Sequence, residues 1–414
     1  MKNTGTRRIV TMNYLDKIHI ASDERYRFRS EFDSTIEYKQ IIKNSKRQQF
    51  ILIDTPFFLD NKEYDVFSQI QYFLNGGLTD NLSPYLDQIK SGDVKLIIFF
   101  TDWWGFCNKN ETNAVINSGN LVSYHIYESL YKQFTNIGII SNSVFVSPVS
   151  TNDVDQYEDW PIIEFNQPFL RYINFNQILS NINNNQIDKF LFYLNRRIRP
   201  HRLITFNNIY KRGLLNNSLF TCHWFEESIT NDQQLINYIT TILDGYQDSN
   251  HDYKNLINFV SNNKLEMTYD PDLNLQRKDE ILELSDYASR CFIDLVSEYN
   301  CGNHKVFLTE KTARSIVMKR PFIVLGDRGS LVELRSYGFK TFDSVWDESY
   351  DLLTTYEERT AAAEELLSGD IMQMYIINKS NYPTEVMDII EYNYNWYFNE
   401  YKYKQIDKFK RIFK

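Results

Sequence analysis

The chain has 414 residues, 43% of them apolar, enough for packed cores and for two domains or one large one. With 45 basic against 54 acidic side chains the formal charge is −9, which weighs against a protein that grips duplex DNA mainly through its phosphates. Asn is abundant and Tyr and Phe number 29 each, a bias typical of AT-rich genomes such as those of many phages and low-GC bacteria.

The first residues, MKNTGTRRIVTMNYLDKIHI, lack the apolar core of a signal peptide. Five short apolar runs then read as parallel strands buried on both faces, because they are continuous rather than alternating. They are Phe50–Ile53 ending at Asp54, Lys95–Phe100 ending at Asp102, Ser143–Val146, Phe190–Leu194 ending at Asn195, and Pro321–Leu325 ending at Gly326. Amphipathic segments at Tyr64–Leu74, Leu121–Phe134 and Arg202–Leu214 are expected as helices between them, which predicts an α/β fold. The polar run SNINNNQID marks a boundary near 175–188, and 245–280 reads as a polar surface insertion. A last helix is expected from Thr384, capped by that residue and ending in a lysine-rich stretch whose cations suit the helix dipole. The division expected is 1–185, 186–383 and 384–414.

Four cysteines, Cys107, Cys222, Cys291 and Cys301, form no CxxC pair, which suits a reducing compartment. No stretch approaches ~18 uninterrupted apolar residues, so no membrane span is expected. The expected location is cytoplasmic, in the host cytoplasm if the source is viral.

Two stretches carry chemistry. In the first, Thr309-Glu310-Lys311 opens a helix that runs to Lys319 and is followed by the strand at Pro321. A hydroxyl there caps the helix, and the helix end offers N–H groups and positive potential to an anion. Lys311 adds a point charge for a diphosphate, Glu310 can accept from ribose hydroxyls, and Gly326 lets backbone approach a ligand. In the second, Arg196, Arg197, Arg199 and Arg202 crowd a strand–turn–helix step, a repulsive arrangement unless an anion sits nearby.

Phe307-x-Thr309-Glu310-Lys311, a helix, then Pro321-Phe322-Ile323-Val324-x-Gly326 resembles the donor-binding motif of the α1,3-fucosyltransferase family. The resemblance implies that Glu310 and Lys311 hold the ribose and diphosphate of a nucleotide sugar. The family usually has Tyr where this chain has Phe307. Glu298 aligns with the carboxylate of the family's Phe-Glu-Asn, and Arg202, then Arg199, best fits its phosphate-binding arginine. The resemblance covers roughly residues 188–365. It implies a GT-B arrangement of two Rossmann-like lobes facing across a cleft, an inverting transfer, a nucleoside diphosphate sugar donor (GDP- or UDP-sugar) and no obligatory metal. The stretch 334–351 looks like uncharacterised phage and bacterial proteins grouped with glycosyltransferases.

Such a transfer needs a carboxylate to take the acceptor's proton. On the N-terminal side the candidates are Asp102, beside Trp103 and Trp104, then Asp54 and Glu63. The acceptor is left open between a hydroxymethylated DNA base, a glycan and a protein. Asp153-Val154-Asp155 and Asp270-Pro271-Asp272 match the DxD of metal-dependent transferases, but 54 acidic residues produce such matches by chance. The alternative is a protein that binds or sequesters nucleotides without transferring sugar.

Overall fold

Continuous apolar runs build two separate parallel sheets, each within its own compact unit. The computed structural model describes residues 8–10, 49–55, 76, 82–100, 126–147, 162–164, 166, 168–170, 172, 187–195, 199–222, 234, 237, 255, 277–299, 301, 306–378 and 381–412.

The first unit comprises Met1–Asn174 and Lys402–Lys414. Its strands β1 (Arg8–Val10), β2 (Gln49–Thr55), β3 (Val94–Phe100), β4 (Ser143–Ser147) and β5 (Ile162–Glu164) pair in sequence order, all parallel. Leu96, Ile97 and Ile98 of β3 are all fully buried, so both faces of this strand are covered. Helix α1 (Leu86–Ser91) leads into β3, and α2 (Ile126–Asn136) leads toward β4. Phe134 of α2 stacks on Phe145 of β4 at 5.7 Å between ring centres.

The second unit, Phe175–Tyr401, holds β6 (Lys189–Asn195), β7 (Ser218–Cys222), β8 (Cys291–Ser297) and β9 (Phe322–Leu325). Their spatial order is β7-β6-β8-β9, all parallel. The chain therefore steps outward from β6 to β7, then returns past β6 to lay down β8. Direction reverses between β6 and β8.

Side chains on a strand alternate between faces, and β6 shows which helix covers which. Tyr193 stacks on Phe206 of α3 (Pro200–Lys211), while Phe192 lies under Arg314 of α5 (Glu310–Val317). Helices α4 (Arg277–Ser289), α6 (Ser330–Ser336), α7 (Tyr356–Leu366), α8 (Met372–Asn378) and α9 (Thr384–Trp396) are its other described α-helices. Helix α7 packs beside α3, and α9 beside α5.

The α/β reading therefore holds at the level of parallel sheets covered by helices. Four described strands lie where no run was expected: the short β1 and β5 of the first unit, and β7 and β8 of the second. In β8, Asp294 interrupts the apolar sequence, yet all seven residues are buried. In β7 only Leu219 and Phe220 are strongly apolar. The start of α9 also differs: Pro383 occupies the capping position, Thr384 is the first helical residue, and no side chain caps it. After a π-helical turn at Tyr397–Tyr401, α10 (Lys402–Ile412) groups with the first unit, where it packs on β5. The expected helix at Tyr64–Leu74 lies outside the described residues.

Candidate functional site

In open parallel sheets, ligands bind outside the carboxyl ends of the strands where the strand order reverses. In the second unit that point lies between β6, which ends at Asn195, and β8, which runs on into Glu298. The two strand ends are tied by a hydrogen bond between the Tyr193 and Ser297 hydroxyls, 2.9 Å.

Helix α3 starts at this point. Arg199 is extended (φ −141°, ψ 149°), as the residue before a proline prefers, and Pro200 fills the first helical position. No side chain caps the helix. His201 and Arg202 reach across to the end of β8. The His201 Nε2 lies 3.2 Å from the Glu298 carbonyl, so Nε2 carries the proton. Arg202 Nη2 donates to the same carbonyl at 3.0 Å and approaches that of Ser297 at 3.5 Å. Burial, then the cations Arg202 and Arg199 and, more weakly, Lys311, hold His201 well below the usual imidazole range, so it is neutral. Burial also pulls Arg202 down to about 10, where it is still charged at neutral pH. Arg199, half-buried, lays its guanidinium 4.0 Å above the ring of Tyr299. Tyr299 in turn meets the buried Phe307 edge-on at 6.4 Å.

The start of α5 corrects one expectation. Thr309 does cap this helix, its Oγ1 accepting from the Lys311 N–H at 3.3 Å. The anion at this helix end, however, is the chain's own Glu298. Its carboxylate, on a residue 1% exposed, accepts from the N–H groups of Thr309 (3.0 Å) and Thr312 (3.3 Å). It also accepts from the hydroxyls of Thr312 (2.6 Å) and Thr309 (2.5 Å). Four donors occupy the carboxylate, so the α5 start is closed by Glu298 rather than held open for a ligand. Lys311 and Glu310 sit at its rim with side chains 22% and 26% exposed. Lys311 Nζ bonds Thr309 Oγ1 at 3.0 Å and Glu310 Oε1 at 3.1 Å.

Gly326 has a packing reason as well as the one expected. A Cβ there would stand 2.4 Å from Ser330 Oγ and 3.5 Å from Glu298 Cβ. The missing side chain makes room for the start of α6 and for the Glu298 cap.

The most informative residue escaped the sequence reading. Asn195 closes β6 on the α3 face, the same face as Tyr193. It is 4% exposed, and neither Oδ1 nor Nδ2 has a partner among the described residues. Its backbone is paired, the N–H donating to Thr221 Oγ1 at 3.1 Å. The sequence signal that could have found it is a polar residue ending an apolar strand just before an arginine-rich turn.

Arg199, Arg202, Glu298, Phe307, Thr309, Glu310, Lys311 and Gly326 thus gather around the carboxyl ends of β6, β8 and β9. Of the proton-acceptor candidates, Asp54 lies on β2 opposite Phe99 of β3, one residue before the strand's end. Glu63 and Asp102 lie outside the described residues, as do Asp153, Asp155, Asp270 and Asp272. Among the described residues, no group of three or more His, Cys, Asp or Glu could hold a metal, and no helix is long and apolar enough to cross a membrane. No protein-family model, curated protein or solved structure matches the chain.

Proposed function

We propose that this protein is a glycosyltransferase that moves a sugar from a nucleoside diphosphate sugar onto an acceptor hydroxyl. The observation that carries the reading is the uncapped start of α3 at the strand reversal, with Arg199 beside it and Lys311 at the rim. The positive end of a helix favours a phosphate, and cations nearby stabilise the diphosphate as it leaves. Arg199 and Lys311, both partly exposed, are the direct phosphate contacts. Arg202 and Glu298 hold the β8 end and the α5 start in position, and Glu310 meets the ribose hydroxyls. In the accompanying GT-B arrangement the first unit carries the acceptor and supplies the base, with Asp102 ahead of Asp54 and Glu63.

Thermal shift with UDP-, GDP-, ADP- and CMP-sugars tests the donor site. A ligand at 100 times its dissociation constant adds about 2.7 kcal/mol of stability. Arg199→Ala and Lys311→Ala should each weaken the responding donor by about 1.5–3 kcal/mol, the value of a hydrogen bond to a charged group. Unchanged donor binding in both variants would remove them from the site. Slow hydrolysis of the nucleotide sugar distinguishes a transferase from a protein that merely binds nucleotides. For the base, Asp102→Asn should lower turnover by ~10² to 10⁴ with donor affinity normal. Near-normal turnover would pass the role to Asp54 or Glu63.

A further inference from the structure

The buried amide of Asn195 has no partner among the described residues. A carboxamide carries two N–H donors and an acceptor oxygen, and leaving these buried and unmet is unfavourable. Native proteins leave few such groups, and each asks for a reason. Here the reason lies in its position: Asn195 ends β6 at the strand reversal, four residues before Arg199 and the uncapped start of α3.

We infer that the Asn195 amide receives a hydroxyl of the ligand, so that the second unit selects nucleotides and nucleotide sugars over bare phosphate anions. The inference rests on the reading of this strand end as a phosphate site. Phosphate oxygens only accept. They could meet the Nδ2 donors but would leave Oδ1 facing an anion. A hydroxyl donates and accepts, so one sugar or ribose hydroxyl meets both ends of the amide. Arg199 and Lys311 answer the anionic part of the same molecule, and Asn195 answers its neutral part. An anion without hydroxyls uses only the first set of contacts.

The test uses the full chain with Asn195→Leu, which has nearly the same shape and no polar atoms. Calorimetric titrations with UDP-glucose, GDP-mannose and inorganic pyrophosphate are compared with wild type, beside ligand-free melting temperatures. The expected result is a ligand-free melting temperature no lower than wild type, about tenfold weaker binding of the responding nucleotide sugar, and pyrophosphate binding unchanged within twofold. Asn195→Ala, which removes the amide without adding bulk, should show the same selective loss if the leucine variant does not fold. Equal weakening of pyrophosphate and nucleotide sugar overturns the inference, as does a melting temperature that falls with ligand response intact, since the amide would then serve the fold. A wild-type protein that responds to none of the three probes overturns the phosphate-site reading and this inference together.

Discussion

Glu298 shows how much one side chain can decide. Its carboxylate takes four hydrogen bonds from Thr309 and Thr312, so truncation strands two backbone N–H groups and two hydroxyls at once. Glu298→Ala should therefore lower unfolding stability by about 2–4 kcal/mol, read from the midpoint of a urea titration. Glu298→Gln keeps one acceptor oxygen and should lose about half as much. A loss below 0.5 kcal/mol for the alanine variant would mean the cap is not formed in solution. Residues of this kind are only half legible in a sequence. The Thr309 cap could be read from a hydroxyl standing before an acidic residue and a helical segment. The Glu298 cap could not, because its partners lie 11 and 14 positions away and meet it only once β8 and α5 are packed. Asn195 was half legible for a related reason: its place at the end of an apolar strand could be read, but its unmet amide is a property of surroundings that local sequence does not record.

At the level of elements, α3 is held from behind by α7. The Tyr356 hydroxyl bonds both the His201 carbonyl and Thr205 Oγ1 in the first turns of α3. At the other end Glu364 of α7 stands 3.6 Å from Arg212, which closes α3. Burial outweighs that cation and pushes Glu364 up to about 7 from its ordinary 4.5. The folded protein then holds a proton that the unfolded chain releases, so this contribution to stability is fully present below pH 4.5 and is lost as pH rises through about 7. Glu364→Gln should flatten the fall in stability across that window, by an amount on the order of 1–3 kcal/mol, measured as melting temperature at successive pH values. A wild-type profile without such a fall, or one that the substitution leaves unchanged, would show that Glu364 titrates normally. Among the strands, β6 and β9 were visible as unbroken apolar runs bounded by Asn195 and Gly326. The center of the sheet, β8, was not, because Asp294 breaks its pattern. That carboxyl is tolerated because Ser315 Oγ donates to it at 2.5 Å and burial raises its proton affinity.

For the whole molecule, the proposed donor site lies in the second of the two parallel-sheet units, and the proposal rests on organic cations. Turnover should survive excess EDTA, since Arg199, Lys311 and the α3 start already oppose the charge of a leaving diphosphate. Complete loss restored by manganese would redirect attention to Asp153 or Asp270. The order of the units along the chain has a consequence for synthesis. The first unit is built from Met1–Asn174 and Lys402–Lys414, with the whole of the second unit translated between them. A ribosome needs roughly 10–50 s to add that intervening length. During this interval β5 has no α10 to pack against, while the second unit, continuous in sequence, can fold as it emerges. The earlier unit is therefore begun first, yet its β5 lacks the helix that packs on it until the whole of the later unit has been translated.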